Sequence, residues 1–462
     1  MNDTTKRLIE LDKQYLWHPF TQMADWLNSE PVVIDSAEGF YLIDTEGNRY
    51  IDGVSSLWCN VHGHRVKEID DAIKAQVDKV SHSTLLGLGQ TRSIELAERL
   101  IEITPASLQK VFYSDSGATA VEIALKMAYQ YFHNNGDHQC RKFISLENSY
   151  HGDTVGSVSL GGIKTFHSIF RPLLFETYFA PAPDPYRFEG TKKECVLHSL
   201  DAIEQLLKEH ADEIVAVVVE PLVQGAAGII VHPTGFLTGV RRLTKKYGVF
   251  LIADEVATGF GRTGKMFACE IEKVEPDIMC LGKGLTGGYL PLAATLTTQQ
   301  IFDAFLGKAG ENKTFYHGHT YTGNALACAA AIASLELFEQ NKVIESLRPK
   351  IELIGKYLEK IASLEFVGDA RQCGLMSAIE IVRDKSTGES FDKRNTIGAK
   401  LCASMRSEGA MLRPLGDCIV IMPPVAIDID LLQELLEIIY HAIDKNLLTI
   451  LREADETQLE ST

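Results

Sequence analysis

Compact apolar runs alternate with helix-spaced apolar residues through the middle of the chain. KVFYSDSG (Lys110–Gly117) reads as a strand running into a helix, GATAVEIALKMAYQYF, whose apolar residues recur at helical spacing. KFISLEN, EIVAVVVEPL, VFLIADEV, DIMCLGKG and LAATLTT are further short apolar runs, each ending at polar or glycine residues. Continuous apolar strands interleaved with helices predict an α/β fold, a mostly parallel sheet sandwiched by helices. This large domain is expected over 68–340. Residues 1–67 read as β-rich, because GFYLIDTEGNRYIDG places an E-G-N turn between alternating strands. From 341 to 462 helices alternate with short strands such as GLMSAIEIV and CIVIMPP. Neither end carries much core alone, so the two are expected to combine into a smaller α+β domain.

One stretch fits neither pattern. YLWHPFTQM (Tyr15–Met23) is too apolar for a loose tail and too broken by Pro19 for a helix interior. It is expected to fold back over the large domain as a wall of a substrate pocket, or as a strap joining the smaller domain.

Composition narrows the function. At 462 residues the chain exceeds a single core, with 45% hydrophobic and 23% charged residues and no biased tract. A net charge of −17, spread along the chain, disfavours nucleic acid and anionic membrane as partners and suits a cytoplasmic enzyme acting on small molecules. The opening MNDTTKRLIELDKQYLWHPF has no apolar signal core, and no run approaches a membrane span. The nine cysteines are scattered and never in C-x-x-C spacing, as expected for reduced thiols.

Ligands in open α/β sheets gather beyond the carboxyl ends of the strands. One apolar strand there delivers Asp254 and Glu255; another run ends at Lys283, held between Gly282 and Gly284. Pyridoxal 5'-phosphate needs an amine for its Schiff base, a carboxylate at the pyridine nitrogen and an anion site for the phosphate. Lys283 and Asp254 fit the first two needs. SDSGATAVE supplies the third, a helix N-terminus with backbone N–H groups at Gly117 and Ala118.

Two other motifs compete. GFGRTG (Gly259–Gly264) satisfies the G-x-G-x-x-G expression of nicotinamide dehydrogenases, but that fingerprint should follow its strand directly and open a long helix. The HGH pairs at His62–His64 and His317–His319 resemble metal ligands without a third or fourth partner nearby, so no metal is expected.

ADEVATGFGRTG and PDIMCLGKGLTGGYLPLAA resemble the signature of class III aminotransferases, within the fold-type I pyridoxal-phosphate enzymes. WHPFTQM, DGVSSLWCNVHGH, SDSGATAVEIALKMAYQY, NSYHGDT, APAP, EPLVQGAAG, GNALACAAA and RPLG with IMPP extend the resemblance over essentially the whole chain. They resemble the branch serving biotin biosynthesis, which aminates 8-amino-7-oxononanoate to 7,8-diaminononanoate. The resemblance implies Lys283 as the Schiff-base lysine, Asp254 as the partner of the pyridine nitrogen, and Gly117 and Ala118 at the phosphate. It implies a homodimer in which Thr320 of the neighbouring subunit reaches that phosphate, with His319 beside it and Gly318 leaving room for substrate. Tyr150 would stack on the cofactor ring, Arg413 would grip the substrate carboxylate, and Glu220, Arg262 and Asp153 would orient the site.

Phe20, Leu57 and Trp58 would wall the substrate. Two of them depart from the adenosylmethionine-using pattern, which has tyrosine where Phe20 stands and tryptophan where Leu57 stands. Phe20 lacks a hydroxyl, and Leu57 lacks an aromatic face on which a sulfonium could rest. The amino donor is therefore expected to be S-adenosylmethionine or lysine. A class III ω-amino-acid or diamine transaminase is the alternative within the fold. A nicotinamide dehydrogenase and a non-catalytic binding protein are the alternatives outside it.

Overall fold

The computed structural model describes residues 1–460, with side chains through Glu453. The last two residues of the expected 341–462 segment lie outside the described residues. Seven strands form the central sheet, in the spatial order Leu108–Ser114, Ala293–Thr298, Ile278–Leu281, Phe250–Asp254, Ile214–Val219, Lys142–Leu146 and Tyr178–Ala180. The last five are mutually parallel; only Ala293–Thr298 runs antiparallel to both its neighbours. Every apolar run singled out in the middle of the chain becomes one of these strands. Tyr178–Ala180 gave no signal because three residues at a sheet edge are too short for a pattern.

Strand alternation explains how the sheet is covered. Phe250 and Ile252 face the packing layer that includes Ala120, Val121 and Ala124 of the helix Gly117–Asn134. Leu251 and Ala253 face the opposite layer, with Leu237 and Val240 of the helix Phe236–Tyr247. Both faces are buried, so the strand is apolar at every position until its end. The same two-residue period then separates its two terminal carboxylates. Asp254 continues the face of the helix Gly117–Asn134, whereas Glu255 turns into the opposite interior.

The chain ends meet in sheets of their own. The strands Ile34–Glu38, Tyr41–Asp44 and Arg49–Asp52 form an antiparallel meander. Its turn is built by Asp44, whose Oδ1 accepts the amides of Glu46 and Asn48, and by Gly47 at φ 85°. The C-terminal pair Ala410–Met411 adds to this sheet alongside Arg49–Asp52. A second four-stranded sheet contains Val367–Cys373, Met376–Ile381, Arg413–Leu415 and Cys418–Ile421. The β-rich expectation for 1–67 needs correction, because a helix, Asp3–Tyr15, precedes the meander. Asn2 caps it, but only Thr5 and Ile9 are buried, too few to leave an apolar stripe in the sequence.

Glu255 holds the segment after its strand. Its carboxylate accepts the Thr258 hydroxyl at 2.6 Å and the amides of Ala268 and Cys269 at 3.0 and 2.8 Å, with no exposed surface. Glu255→Gln replaces one acceptor oxygen with a donor facing N–H or O–H groups. The substitution is expected to lower unfolding free energy by about 2–4 kcal/mol, measured by chemical denaturation. A loss below about 0.5 kcal/mol would contradict this role.

Candidate functional site

A cavity of about 470 Å³ opens where the strand ends meet the N-terminus of the helix Gly117–Asn134. Trp58, Gly117, Ala118, Tyr150, Asp254 and Lys283 all line it, together with His151, Glu220 and Val256. With Asp153, which also lines it, eight residues singled out in sequence thus come together from segments scattered along the chain.

Asp254 is 5% exposed, and its Oδ2 lies 2.7 Å from Nδ1 of His151. Its Oδ1 accepts the amide of Val256 at 3.1 Å. A carboxylate has about four acceptor sites, so capacity remains on the cavity side. Burial opposes charge on His151, but the hydrogen bond and the charge of Asp254 outweigh it, and the imidazole pKa is raised. His151 Nε2 has no partner among the described residues. Sequence reading missed His151 although it stands beside Tyr150, because its partner is 103 residues away.

Lys283 follows the strand Ile278–Leu281 and adopts φ 43° at the start of a short 3₁₀ turn. Its amino group makes no hydrogen bond or ion pair among the described residues and lies 4.8 Å from the Trp58 ring centroid. Burial lowers its pKa, only partly offset by the charges of Asp254 and Glu220. A lysine whose charging is opposed by burial is a better nucleophile and base than an exposed one.

Ser116 and Thr119 cap the helix Gly117–Asn134 reciprocally. The amides of Gly117 and Ala118 belong to the first helical turn, where no acceptor within the helix is available, and both residues line the cavity. Glycine is needed at 117, since a Cβ there would come within 2.4 Å of Val256 Cγ1. Tyr150 is fixed at both ends. Its amide donates to Glu220 at 3.0 Å and its hydroxyl to Asp153 at 2.6 Å, which with burial raises the phenol pKa. Burial pushes Glu220 itself up to about 7. Arg262, 2% exposed, donates to the carbonyls of Pro423 and Asn60 and so joins the two chain ends to the strand-end segment.

An amine, a carboxylate held by a histidine and a helix N-terminus around one cavity match the three needs of pyridoxal 5'-phosphate. The residues present fit that group.

Other singled-out residues lie elsewhere in the single chain. Gly318, His319 and Thr320 line a separate cavity of about 1460 Å³, bounded by Leu85, Leu86, Ile94 and Tyr316. His319 Nδ1 bonds Asp115 at 2.9 Å, and its Nε2 lies 3.2 Å from His317 Nε2. Phe20 is exposed, with its ring 5.3 Å from Phe166, whose ring in turn meets that of Tyr150 at 6.5 Å. Leu57 is also exposed, and neither residue lines the cavity. Arg413 sits exposed on the strand Arg413–Leu415, its side chain making no hydrogen bond or ion pair among the described residues.

The dehydrogenase alternative fails on geometry. GFGRTG lies in turns after the Asp254 strand, followed only by the 3₁₀ turn Ala268–Glu270 and not by a long helix. Among the described residues no group of three or more histidine, cysteine or carboxylate side chains is arranged to hold a metal. His62 is bonded to Ser334 and pushed down to about 4 by burial. No described helix is long and apolar enough to cross a membrane.

The family profile described as aminotransferase class-III matches residues 23–443. A relative from Geobacter sulfurreducens, adenosylmethionine-8-amino-7-oxononanoate aminotransferase, is 53% identical over 95% of this chain and 98% of its own. The crystal structure of the enzyme of that name from Methanocaldococcus jannaschii superposes with a TM-score of 0.90 at 50% identity, covering 95% of this chain and 98% of the other. An (S)-enantioselective ω-transaminase from Thermomicrobium roseum superposes with a TM-score of 0.91 at 33% identity, covering 96% and 98%. The chain is an aminotransferase, and it belongs to the class III family, whose members depend on pyridoxal phosphate.

Proposed function

We propose that this chain transfers an amino group from S-adenosylmethionine to 8-amino-7-oxononanoate, giving the 7,8-diaminononanoate of biotin biosynthesis, with pyridoxal 5'-phosphate as cofactor. The observation that carries the substrate is the 53% identity, over 95% of the chain, to a relative named for that reaction. The ω-transaminase likeness is as close in fold but lower in identity, so fold alone does not choose between them.

Pyridoxal 5'-phosphate, when bound, supplies an electrophilic carbon and an electron sink for the substrate carbon that loses its proton. The chain's own residues do the rest. The amides of Gly117 and Ala118 would hold the phosphate, aided by the positive end of the helix. Asp254 would face the ring nitrogen, and His151, 2.7 Å away, aims its carboxylate. Lys283 Nζ would hold the cofactor and is placed to carry the proton away from the substrate carbon. Tyr150, fixed by Glu220 and Asp153, and Trp58 wall the reacting groups from water. Arg413, whose side chain has no partner among the described residues, takes the substrate carboxylate.

Gly318, His319 and Thr320 serve the site of a second copy, in a homodimer. Exposed Leu86, Leu88, Ile94 and Tyr316 around their cavity are apolar surface that such a partner would bury.

Purified protein loaded with cofactor and given both substrates is expected to form 7,8-diaminononanoate, detected by mass spectrometry. Turnover of simple ω-amino acids with none of this product would favour the ω-transaminase reading. Given one donor at a time, the absorbance of the bound cofactor is expected to shift to that of its amine form with adenosylmethionine. A shift with lysine alone would support the second reading, which Phe20 and Leu57 motivate. Lys283→Ala is expected to lower kcat by ~10³-fold or more, with a melting temperature within about 3 °C of wild type. Robust turnover by that variant would refute the assignment.

A further inference from the structure

Ser55, Ser56, Leu57 and Trp58 have φ values of 51°, 54°, 103° and 68°. Four consecutive non-glycine residues on the left-handed side are disfavoured, because each Cβ crowds the following carbonyl. Such a run persists only where its surroundings over-determine it.

The surroundings here converge on Asp52, a fully buried carboxylate at the end of the strand Arg49–Asp52. Its Oδ1 accepts the Ser56 amide at 2.8 Å, and its Oδ2 accepts the Ser56 hydroxyl at 2.7 Å. His64 Nε2 donates to the same Oδ2 at 3.0 Å. Asn60 fixes that tautomer by donating from Nδ2 to His64 Nδ1 at 3.2 Å. On the other side, the Ser55 hydroxyl donates to the Met422 carbonyl at 2.6 Å.

The turn delivers one side chain to the site. Trp58 is 7% exposed, lines the cavity and carries its ring to 4.8 Å from Lys283 Nζ. It packs on Gly225, where a Cβ would lie 3.1 Å from Trp58 Cζ3. A right-handed turn through the same residues would send the Cα–Cβ bond of residue 58 in another direction.

We infer that Asp52, backed by His64, is a positioning residue for substrate affinity. It holds the left-handed turn that keeps the Trp58 ring on the cavity wall, against the aliphatic chain of a bound keto or amino acid. It acts through Trp58 and not on the proton carried by Lys283. The inference rests on the proposed role of Trp58 as a substrate wall.

The test is a double-variant cycle on the cofactor-loaded enzyme. Asp52→Asn keeps one acceptor but loses the charge and the second. It is expected to raise KM for the keto-acid about tenfold with kcat within about threefold, leaving the absorbance of the bound cofactor unchanged. Trp58→Leu is expected to raise KM comparably, and adding Asp52→Asn to it should change KM by less than about twofold. Effects that multiply in the double variant, or a fall in kcat at constant KM, would overturn the inference. Should Asp52→Asn not fold, Ser56→Ala at an exposed position removes one bond to Asp52. It is expected to raise KM about two- to threefold, and only when Trp58 is present; an effect independent of Trp58, or none, overturns the inference. If wild type does not accept 8-amino-7-oxononanoate, the proposed function fails separately. The cycle is then read on whichever amine substrate wild type does accept.

Discussion

The contact between Asp254 and His151 is the constraint around which the site is arranged. A carboxylate only 5% exposed carries a large desolvation penalty unless a charged or donating partner faces it, and His151 does so at 2.7 Å. The strand places Asp254 by simple alternation, on the face covered by the helix Gly117–Asn134, whose N-terminus is the proposed anion cradle. Burial that makes the Asp254 pair necessary also lowers the pKa of Lys283. One buried strand end therefore supplies both halves of the proposed chemistry, a positioned carboxylate and an amine whose charging burial opposes.

Much of this was legible in the sequence, for local reasons. Asp254 and Lys283 each close an apolar run, and Ser116 precedes a helix-spaced pattern, so strand ends and cradle could be placed without knowing the sheet order. Burial of the sheet on both faces made its strands continuous in hydrophobicity and easy to find. What stayed hidden depended on distant partners or on backbone geometry. His151 reads as a loop histidine until its bond to Asp254 is seen. Glu255 looks equivalent to its neighbour, although alternation turns it inward to tie Thr258, Ala268 and Cys269. The N-terminal helix was missed because two buried residues leave no periodic signature.

The aromatic N-terminal arm and the Leu57–Trp58 pair show how handedness of the backbone divides neighbouring residues. Leu57 and Trp58 are adjacent, yet the left-handed turn leaves the first exposed and buries the second against the cavity. Substitution of an aromatic residue by Leu57 therefore alters the surface near the site and not the wall beside Lys283. Phe20 reaches the site only indirectly, through Phe166 to Tyr150. Both departures from the adenosylmethionine-using pattern thus fall outside the cavity in a single chain, which favours the donor carried in the relatives' name.

The central claim, that Lys283 is the cofactor lysine of a site anchored by Asp254, is most directly tested by borohydride reduction of the pyridoxal-phosphate-loaded protein and peptide mass mapping. The account predicts a single phosphopyridoxyl addition, on the peptide that carries Lys283. Addition at another lysine, or none in protein that binds the cofactor, would contradict it.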